Sequence, residues 1–138
     1  MSDRFKNKVV LITGAGTGIG LSTAKRIASE GGIVVAGILD DTQANAVSDF
    51  HPIMLDVRDE RAWESALESI KSEFGGIDVL VNNAGISPTG TAEETSPELW
   101  DEVMAVNLRG SFLGCQKSIP LMRSRGGGAI VNLASING

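Results

Sequence analysis

Short apolar runs alternate with helix-patterned segments along this chain, and the alternation predicts β-strands and α-helices in turn. The first run, at residues 9–12, is continuous and rich in β-branched residues, which is typical of a parallel strand covered on both faces. Further strands are predicted at residues 33–36 or as far as 39, at 53–57, at 77–81 and at 129–133.

The segments between these strands carry helical periodicity. Residues 21–29 and 59–74 place apolar side chains on one face and charged side chains opposite. A third helix begins at Ser96-Pro97-Glu98, where an N-cap residue precedes proline in the first turn, and we expect it to run to about Arg123. Its apolar positions exceed one core-facing stripe, so we expect some of them to meet a neighbouring helix or subunit.

Residues 40–50 are only modestly helical, and His51-Pro52 is expected to form a turn before the third strand. The regular alternation predicts an α/β fold with a doubly wound parallel sheet, formed by residues 1–138 as one domain. In such a sheet, ligands bind beyond the carboxyl ends of the strands, where the strand order reverses.

A glycine-rich stretch, Thr13-Gly14-Ala15-Gly16-Thr17-Gly18-Ile19-Gly20, joins the first strand to the first helix. Unpaired backbone N–H groups and the helix dipole converge at such a junction, which favours a phosphate. The dinucleotide fingerprint Gly-x-Gly-x-x-Gly is not met, because its last position falls on Ile19. The stretch therefore predicts a nucleotide site, with an ordinary strand-to-helix turn as the alternative.

Composition narrows the choice of partners. A net charge of −5 and a pI near 4.8 argue against nucleic-acid binding, which needs a basic face. No apolar run approaches the roughly 18 residues of a membrane span, and the single Cys115 cannot form an intrachain disulfide. We expect a cytoplasmic protein without membrane or metal sites.

Several motifs occur together in a fixed order. They are Thr13-Gly14-x-x-x-Gly18-x-Gly20, Asp56, Asn82-Asn83-Ala84-Gly85, Asn107 and Asn132-Leu133-Ala134-Ser135. In this order the sequence resembles the N-terminal portion of the short-chain dehydrogenase/reductase family, over essentially its whole length. The resemblance implies a Rossmann-like fold, a nicotinamide cofactor and hydride transfer with a small alcohol or carbonyl substrate.

The resemblance also implies roles for single residues. Gly14, Gly18 and Ile19 would lie at the cofactor pyrophosphate, in one turn with Thr17, and Gly20 would let the helix pack closely. Asp56 would accept a hydrogen bond from the adenine amino group, beside Val57. The adenine ribose would be bordered by Asn83, Ala84 and Gly85.

Catalytic roles follow from the same resemblance for Asn107, which would hold a water of the proton relay, and Ser135, which would hydrogen-bond the substrate oxygen. Plainer roles remain open for these positions. Asn82 and Asn107 fit buried amides, Asp56 fits a helix N-cap, and Ser135 fits a turn at a strand end.

The chain departs from the family pattern at the catalytic acid/base. The family uses a tyrosine about a dozen residues beyond the serine and a lysine four positions later, but this chain contains no tyrosine and ends three residues after Ser135. We therefore expect a sheet incomplete at its C-terminal side and a chain that is inactive by itself. The alternative is a catalytically inactive nucleotide-binding or interaction protein of the same fold.

The position that selects between NAD and NADP in the family aligns with Ile38, which is neither acidic nor basic. Asp40 lies two residues on, and Asp40-Asp41 would repel a 2′-phosphate, so NAD is favoured over NADP. A homo-oligomer, either a dimer or a tetramer, is expected from the resemblance, with the third helix as a candidate interface. The fifth strand would present an apolar edge that invites association.

Overall fold

A computed structural model describes residues 2–136 of the chain. Its five strands form one sheet in the order β3-β2-β1-β4-β5, and each neighbouring pair is parallel. The predicted Rossmann-like doubly wound sheet is confirmed, and its strand order reverses between β1 and β4. The strands are β1 (Val9–Ile12), β2 (Ile33–Ile38), β3 (His51–Met54), β4 (Val79–Asn82) and β5 (Ala129–Asn132).

Four α-helices connect the strands, together with a short 3₁₀ helix at Asp41–Val47. The predicted third helix is continuous over the expected length, but it contains a π-helical segment at Ala105–Arg109 that divides it in two. The helices are α1 (Gly18–Ser29), α2 (Glu60–Phe74), α3 (Pro97–Met104) and α4 (Gly110–Ser124). Among the residues described, no helix is long and apolar enough to cross a membrane.

The centre of the sheet is covered on both faces, which explains why β1 is apolar at every position. Val9 and Leu11 lie in a core with Trp63 and Ile70 of α2, whereas Val10 and Ile12 lie in a second core with residues of α1. Alternate side chains of a strand point to opposite faces, so both sets need an apolar environment.

The predicted turn at His51-Pro52 is wrong, because both residues belong to β3. This strand lies at the edge of the sheet and pairs with β2, with Pro52 opposite Ala36. An edge strand tolerates proline, since one side of its backbone needs no ladder partner. The ring of His51 packs edge-on against Phe74, with centroids 4.8 Å apart, so this histidine has a packing role.

The centre of the sheet is tied to β5 by a buried amide. Asn82 Nδ2 donates to Asn132 Oδ1 at 2.8 Å. Helix α4 approaches this amide closely, since a Cβ on Gly114 would lie 2.5 Å from Asn82 Oδ1 and 2.8 Å from Trp63. A glycine is therefore needed at this position inside a helix.

Candidate functional site

A cleft of about 450 Å³ opens at the carboxyl ends of the strands, where the strand order reverses. This is where a doubly wound sheet binds its ligand. Most residues that the sequence assigned to a cofactor lie together on its walls: Gly14, Thr17, Gly18, Ile19, Asp56, Val57, Asn83, Ala84 and Gly85. The other lining residues are Leu39, Gln43, Leu55, Arg58, Ile86, Glu102 and Val106.

The glycine turn packs directly against the chain that leaves β4. Gly14 has a φ of 60°, and a Cβ there would lie 2.9 Å from the Ala84 Cα. Gly20 is not a lining residue, but a Cβ on it would lie 2.2 Å from the carbonyl oxygen of Gly14. Both positions exclude a side chain, because α1, the turn and β4 approach one another closely here.

The outer side of the same turn is open. Gly18 has a φ of 53°, and a Cβ built on it would meet nothing within 4 Å. Helix α1 begins at this point, and Thr17 makes no side-chain hydrogen bond that caps it. The first N–H groups of α1 thus remain available to an anion in the cleft.

Thr13 and Asn83 hold the glycine turn to β4. The hydroxyl of Thr13 accepts the backbone N–H groups of Asn83 at 3.0 Å and Ala84 at 2.9 Å, and it donates to Val81 O at 3.4 Å. In return, Asn83 Nδ2 donates to the carbonyl oxygens of Thr13 at 3.0 Å and Gly14 at 3.1 Å. The sequence analysis gave Thr13 no role, and only its place in the motif signalled one.

At the far end of the cleft, Asp56 is paired with Arg58. Arg58 Nε donates to Oδ1 of Asp56 at 2.9 Å, and Nη2 donates to Oδ2 at 2.7 Å. These hydrogen bonds lower the pKa of Asp56, although partial burial opposes the shift. Asp56 is not the N-cap of α2, because that position belongs to Asp59, which accepts from Arg61 N at 2.9 Å.

The two residues predicted to be catalytic do not line the cleft. Asn107 lies in the π-helical segment, where Oδ1 accepts from Ile86 N and Nδ2 donates to Ile86 O, each at 2.8 Å. Its amide therefore holds the chain just after Gly85 in place. Ser135 follows β5 and is exposed.

The end of β2 presents a different residue to the cleft from the one predicted. Ile38 is only 3% exposed and packs in the core beside α1, whereas Leu39 is 58% exposed and lines the cleft with Gln43. The side chain of Asp40 caps the 3₁₀ helix by accepting from Thr42 N at 2.9 Å. Leu39 and Gln43, rather than Ile38, thus face the cleft at the end of β2.

Within residues 2–136, no three or more His, Cys, Asp or Glu side chains lie together in an arrangement that could hold a metal ion. The polar groups of the cleft include backbone N–H groups, amides, the Thr17 hydroxyl and the carboxylates of Asp56 and Glu102, of which Asp56 is paired with the Arg58 guanidinium. Such a set suits an organic ligand that carries phosphate and hydrogen-bonding groups.

Comparison with known proteins agrees with this fold. The chain is 40% identical over 146 residues to 2,5-dichloro-2,5-cyclohexadiene-1,4-diol dehydrogenase of Sphingobium indicum, covering 100% of this chain and 58% of that protein. It is 39% identical over 140 residues to D-threitol dehydrogenase of Mycolicibacterium smegmatis, covering 96% and 54%. The chain thus spans a little over half the length of these relatives.

A solved structure and a family model complete the comparison. The structure of a protein assigned to the short-chain dehydrogenases, from Novosphingobium aromaticivorans, superposes with a TM-score of 0.89 at 26% identity, covering 96% of this chain and 53% of that one. The model that describes the short chain dehydrogenases matches residues 8–138. Taken with the strand order and the glycine turn at the head of α1, this match shows that the chain belongs to the short-chain dehydrogenase family of oxidoreductases.

Proposed function

We propose that residues 1–138 form the nucleotide-binding domain of an NAD(P)-dependent dehydrogenase or reductase that acts on a small alcohol or carbonyl compound. The observation that carries the proposal is the position of the cleft. It lies where the strand order reverses, between an open glycine turn at the head of α1 and the paired carboxylate of Asp56. The open turn would receive the pyrophosphate of a dinucleotide. Asp56 would lie at its adenine, as the resemblance to the family implies.

The residues present fit such a cofactor. The open space beside Gly18 would admit a phosphate to the first N–H groups of α1, and the close contact of Gly14 with Ala84 would hold that turn in shape. Asp56 would accept from the adenine amino group, with Val57 beside the base. Asn83, Ala84 and Gly85 border the cleft where the ribose would lie.

When bound, the nicotinamide would supply or accept the hydride. The chain would orient the substrate and help to move a proton. Ser135 would hydrogen-bond the substrate oxygen as charge develops on it. Asn107 would act through the backbone that it holds at Ile86 and through a water of the proton relay.

The tyrosine that acts as proton donor in the family pattern is not in this sequence, because the chain contains no tyrosine. We therefore propose that a Tyr-x-x-x-Lys pair from outside these 138 residues completes the site. The chain spans 52% to 58% of its relatives, which supports this proposal. Without a positioned acid/base the chain alone should turn over at least about 10²–10⁴-fold more slowly than a complete enzyme.

NAD is the cofactor we favour over NADP. The acidic side chains of Asp40 and Asp41 lie just beyond β2 and would repel a 2′-phosphate. Arg58, the single cation among the described residues that line the cleft, is already paired with Asp56.

Titration of the chain with NADH, followed by cofactor fluorescence, tests this function. We expect saturable binding. NADH emission that is the same with and without the chain, up to millimolar NADH, would refute a cofactor role. The matched variants are Ile19→Glu and Ile19→Gln, since Ile19 lines the cleft and is 66% exposed at the start of α1.

The Ile19→Glu variant should bind NADH about tenfold or more weakly, because the new carboxylate repels the pyrophosphate. It should leave the fold intact, because an acid in the first turn of a helix is favourable. The Ile19→Gln variant should bind NADH with nearly the affinity of the wild type. Equal binding by both variants would mean that NADH binds elsewhere.

A further inference from the structure

Arg58 surrounds Asp56 with three donors. Its Nε and its backbone N–H both donate to Oδ1 of Asp56, at 2.9 and 3.1 Å, and its Nη2 donates to Oδ2 at 2.7 Å. The fork of a guanidinium matches a carboxylate in this bidentate way and fixes the plane of both groups. Asp56 cannot turn about its side-chain bonds without losing these contacts.

Counting acceptor sites shows what remains for a ligand. Each carboxylate oxygen has about two lone-pair sites. Oδ1 of Asp56 already accepts two hydrogen bonds, whereas Oδ2 accepts one. A ligand therefore meets a single free acceptor site, on Oδ2, and this site has a fixed direction.

Arg58 is itself held by residues of α3 and of the π-helical segment that follows it. Its Nη1 lies 3.9 Å from Oε1 of Glu102 in α3, and its carbonyl oxygen accepts from Arg109 Nε at 3.4 Å. The guanidinium is about half-buried and lines the cleft. The charged groups that contact Arg58 are thus Asp56 on its own loop, and Glu102 and Arg109 from the long helix formed by α3, the π-helical segment and α4.

We propose that Arg58 is a positioning residue that restricts Asp56 to one acceptor direction and thereby makes the site selective for adenine over hypoxanthine. The proposal rests on the proposed function. Adenine offers an amino donor at C6, where hypoxanthine carries a carbonyl oxygen and a neighbouring ring N–H. A free carboxylate can turn to accept the ring N–H of hypoxanthine. A carboxylate held by Arg58 cannot turn, so its free acceptor site faces the carbonyl oxygen of hypoxanthine and repels it.

The test compares the binding of NADH and deamino-NADH, in which hypoxanthine replaces adenine. Wild-type chain should prefer NADH by roughly tenfold or more, as for a hydrogen bond to a charged acceptor. Arg58→Gln should reduce this preference to about two- or threefold, because the released carboxylate adapts to both bases. Arg58→Lys should also lose most of the preference, since a lysine keeps the charge but not the fork.

A pH series adds a readout that a purely structural role would not move. Arg58 lowers the pKa of Asp56, so NADH binding by the wild type should persist to more acidic pH than binding by Arg58→Gln, in which that pKa returns towards its ordinary range. Arg61→Gln is the control, because Arg61 is exposed on α2 and does not line the cleft.

The outcomes separate the two proposals. If the wild type binds neither nucleotide, the proposed function fails and this inference fails with it. If the wild type binds NADH but Arg58→Gln weakens both nucleotides equally, Arg58 acts as a charge towards the phosphates, and the inference alone is overturned. Full preference in Arg58→Lys would also overturn it, since charge without the fork would then suffice.

Discussion

Glu30, at the end of α1, joins the N-terminal segment to that helix. Its carboxylate accepts Nε and Nη2 of Arg4 and Nε of Arg26, and its side chain is 3% exposed. The backbone N–H of Phe5 donates to its carbonyl oxygen at 3.0 Å. The hydrogen bonds from the two arginines lower the pKa of Glu30 to about 2.

This lowered pKa makes stability depend on pH in a definite direction. The folded state holds the carboxylate ionised, so the contribution of Glu30 is complete above the ordinary carboxyl pKa of about 4.3. It is lost as the pH falls from there through about 2. Glu30→Gln should therefore lower the Tm at pH 7, and the difference from the wild type should shrink below pH 4.5, become small near pH 2 and vanish below it.

Glu68→Gln serves as the control for this measurement, because Glu68 is exposed on α2. It should shift the Tm little at any pH. A difference between wild type and Glu30→Gln that stays constant from pH 7 to pH 2 would contradict the ionic explanation and point to packing alone.

At this scale the sequence analysis found the residues whose role depends on local geometry. The glycines of the turn were recognisable because a strand, a tight turn and a helix follow one another directly. Thr13 and Arg58 were missed for a physical reason. Thr13 acts as an acceptor for Asn83, which lies 70 residues further along the chain. Nothing in the sequence near Thr13 indicates that Asn83 packs beside it.

The long helix is the element that connects the cleft to the rest of the molecule. Its π-helical segment carries Asn107, whose amide makes both hydrogen bonds with the backbone of Ile86. The chain from Ile86 to the start of α3 is largely exposed and has no helix or strand of its own. Asn107 therefore anchors one end of this connection.

Asn107→Ala should release the connection after β4. Loss of two hydrogen bonds should lower the free energy of unfolding by about 1–3 kcal/mol, as measured by urea denaturation. A glutamate-specific protease should also cleave faster at Glu93 and Glu94, which lie in this connection.

Gln116→Ala, a change of an exposed amide on α4, should alter neither quantity. If Asn107→Ala left both the stability and the cleavage rate unchanged, Asn107 would not anchor this segment.

Helices and strands were predicted well where the spacing of apolar residues was regular. The prediction was poor where it rested on a single proline. Both strands of the central pair and helix α2 lie within two residues of their predicted positions. Proline suggested a turn at Pro52, but the deciding factor was the position of β3 at the edge of the sheet. Strand order is a tertiary property, so the sequence alone did not reveal that Pro52 needs no second partner.

Among the described residues of the whole molecule, the long helix and the edge of the sheet each expose apolar side chains. Leu108 and Phe112, 59% and 56% exposed, border a groove with Met104 on the long helix. At the edge of the sheet, β5 pairs with β4 on one side, and within residues 2–136 no strand pairs with the other; Val131 is half-exposed there. Exposed apolar patches and unpaired edges both favour association.

We expect the chain to self-associate or to be poorly soluble, and sedimentation velocity over a range of concentrations checks this. If the long helix is responsible, the double variant Leu108→Glu/Phe112→Glu should sediment as a monomer, because two buried charges would disrupt that contact. If β5 is responsible, Val131→Lys should have this effect instead.

Lys25→Glu, a change on the exposed side of α1, controls for the altered charge. A wild-type chain that stays a stable monomer at high concentration would count against both surfaces.

The bonds around Thr13 also determine which parts of the cleft can move. A single hydroxyl links the glycine turn to Val81, Asn83 and Ala84, so the two central strands cannot separate without breaking three hydrogen bonds together. We therefore expect the floor of the cleft to be rigid. Any closure around a ligand would then involve the outer walls, which are the 3₁₀ helix that carries Gln43 and the chain beyond Ile86. The amide hydrogens of Asn83 and Ala84 should then exchange slowly with and without ligand, while those of the outer walls slow only on binding.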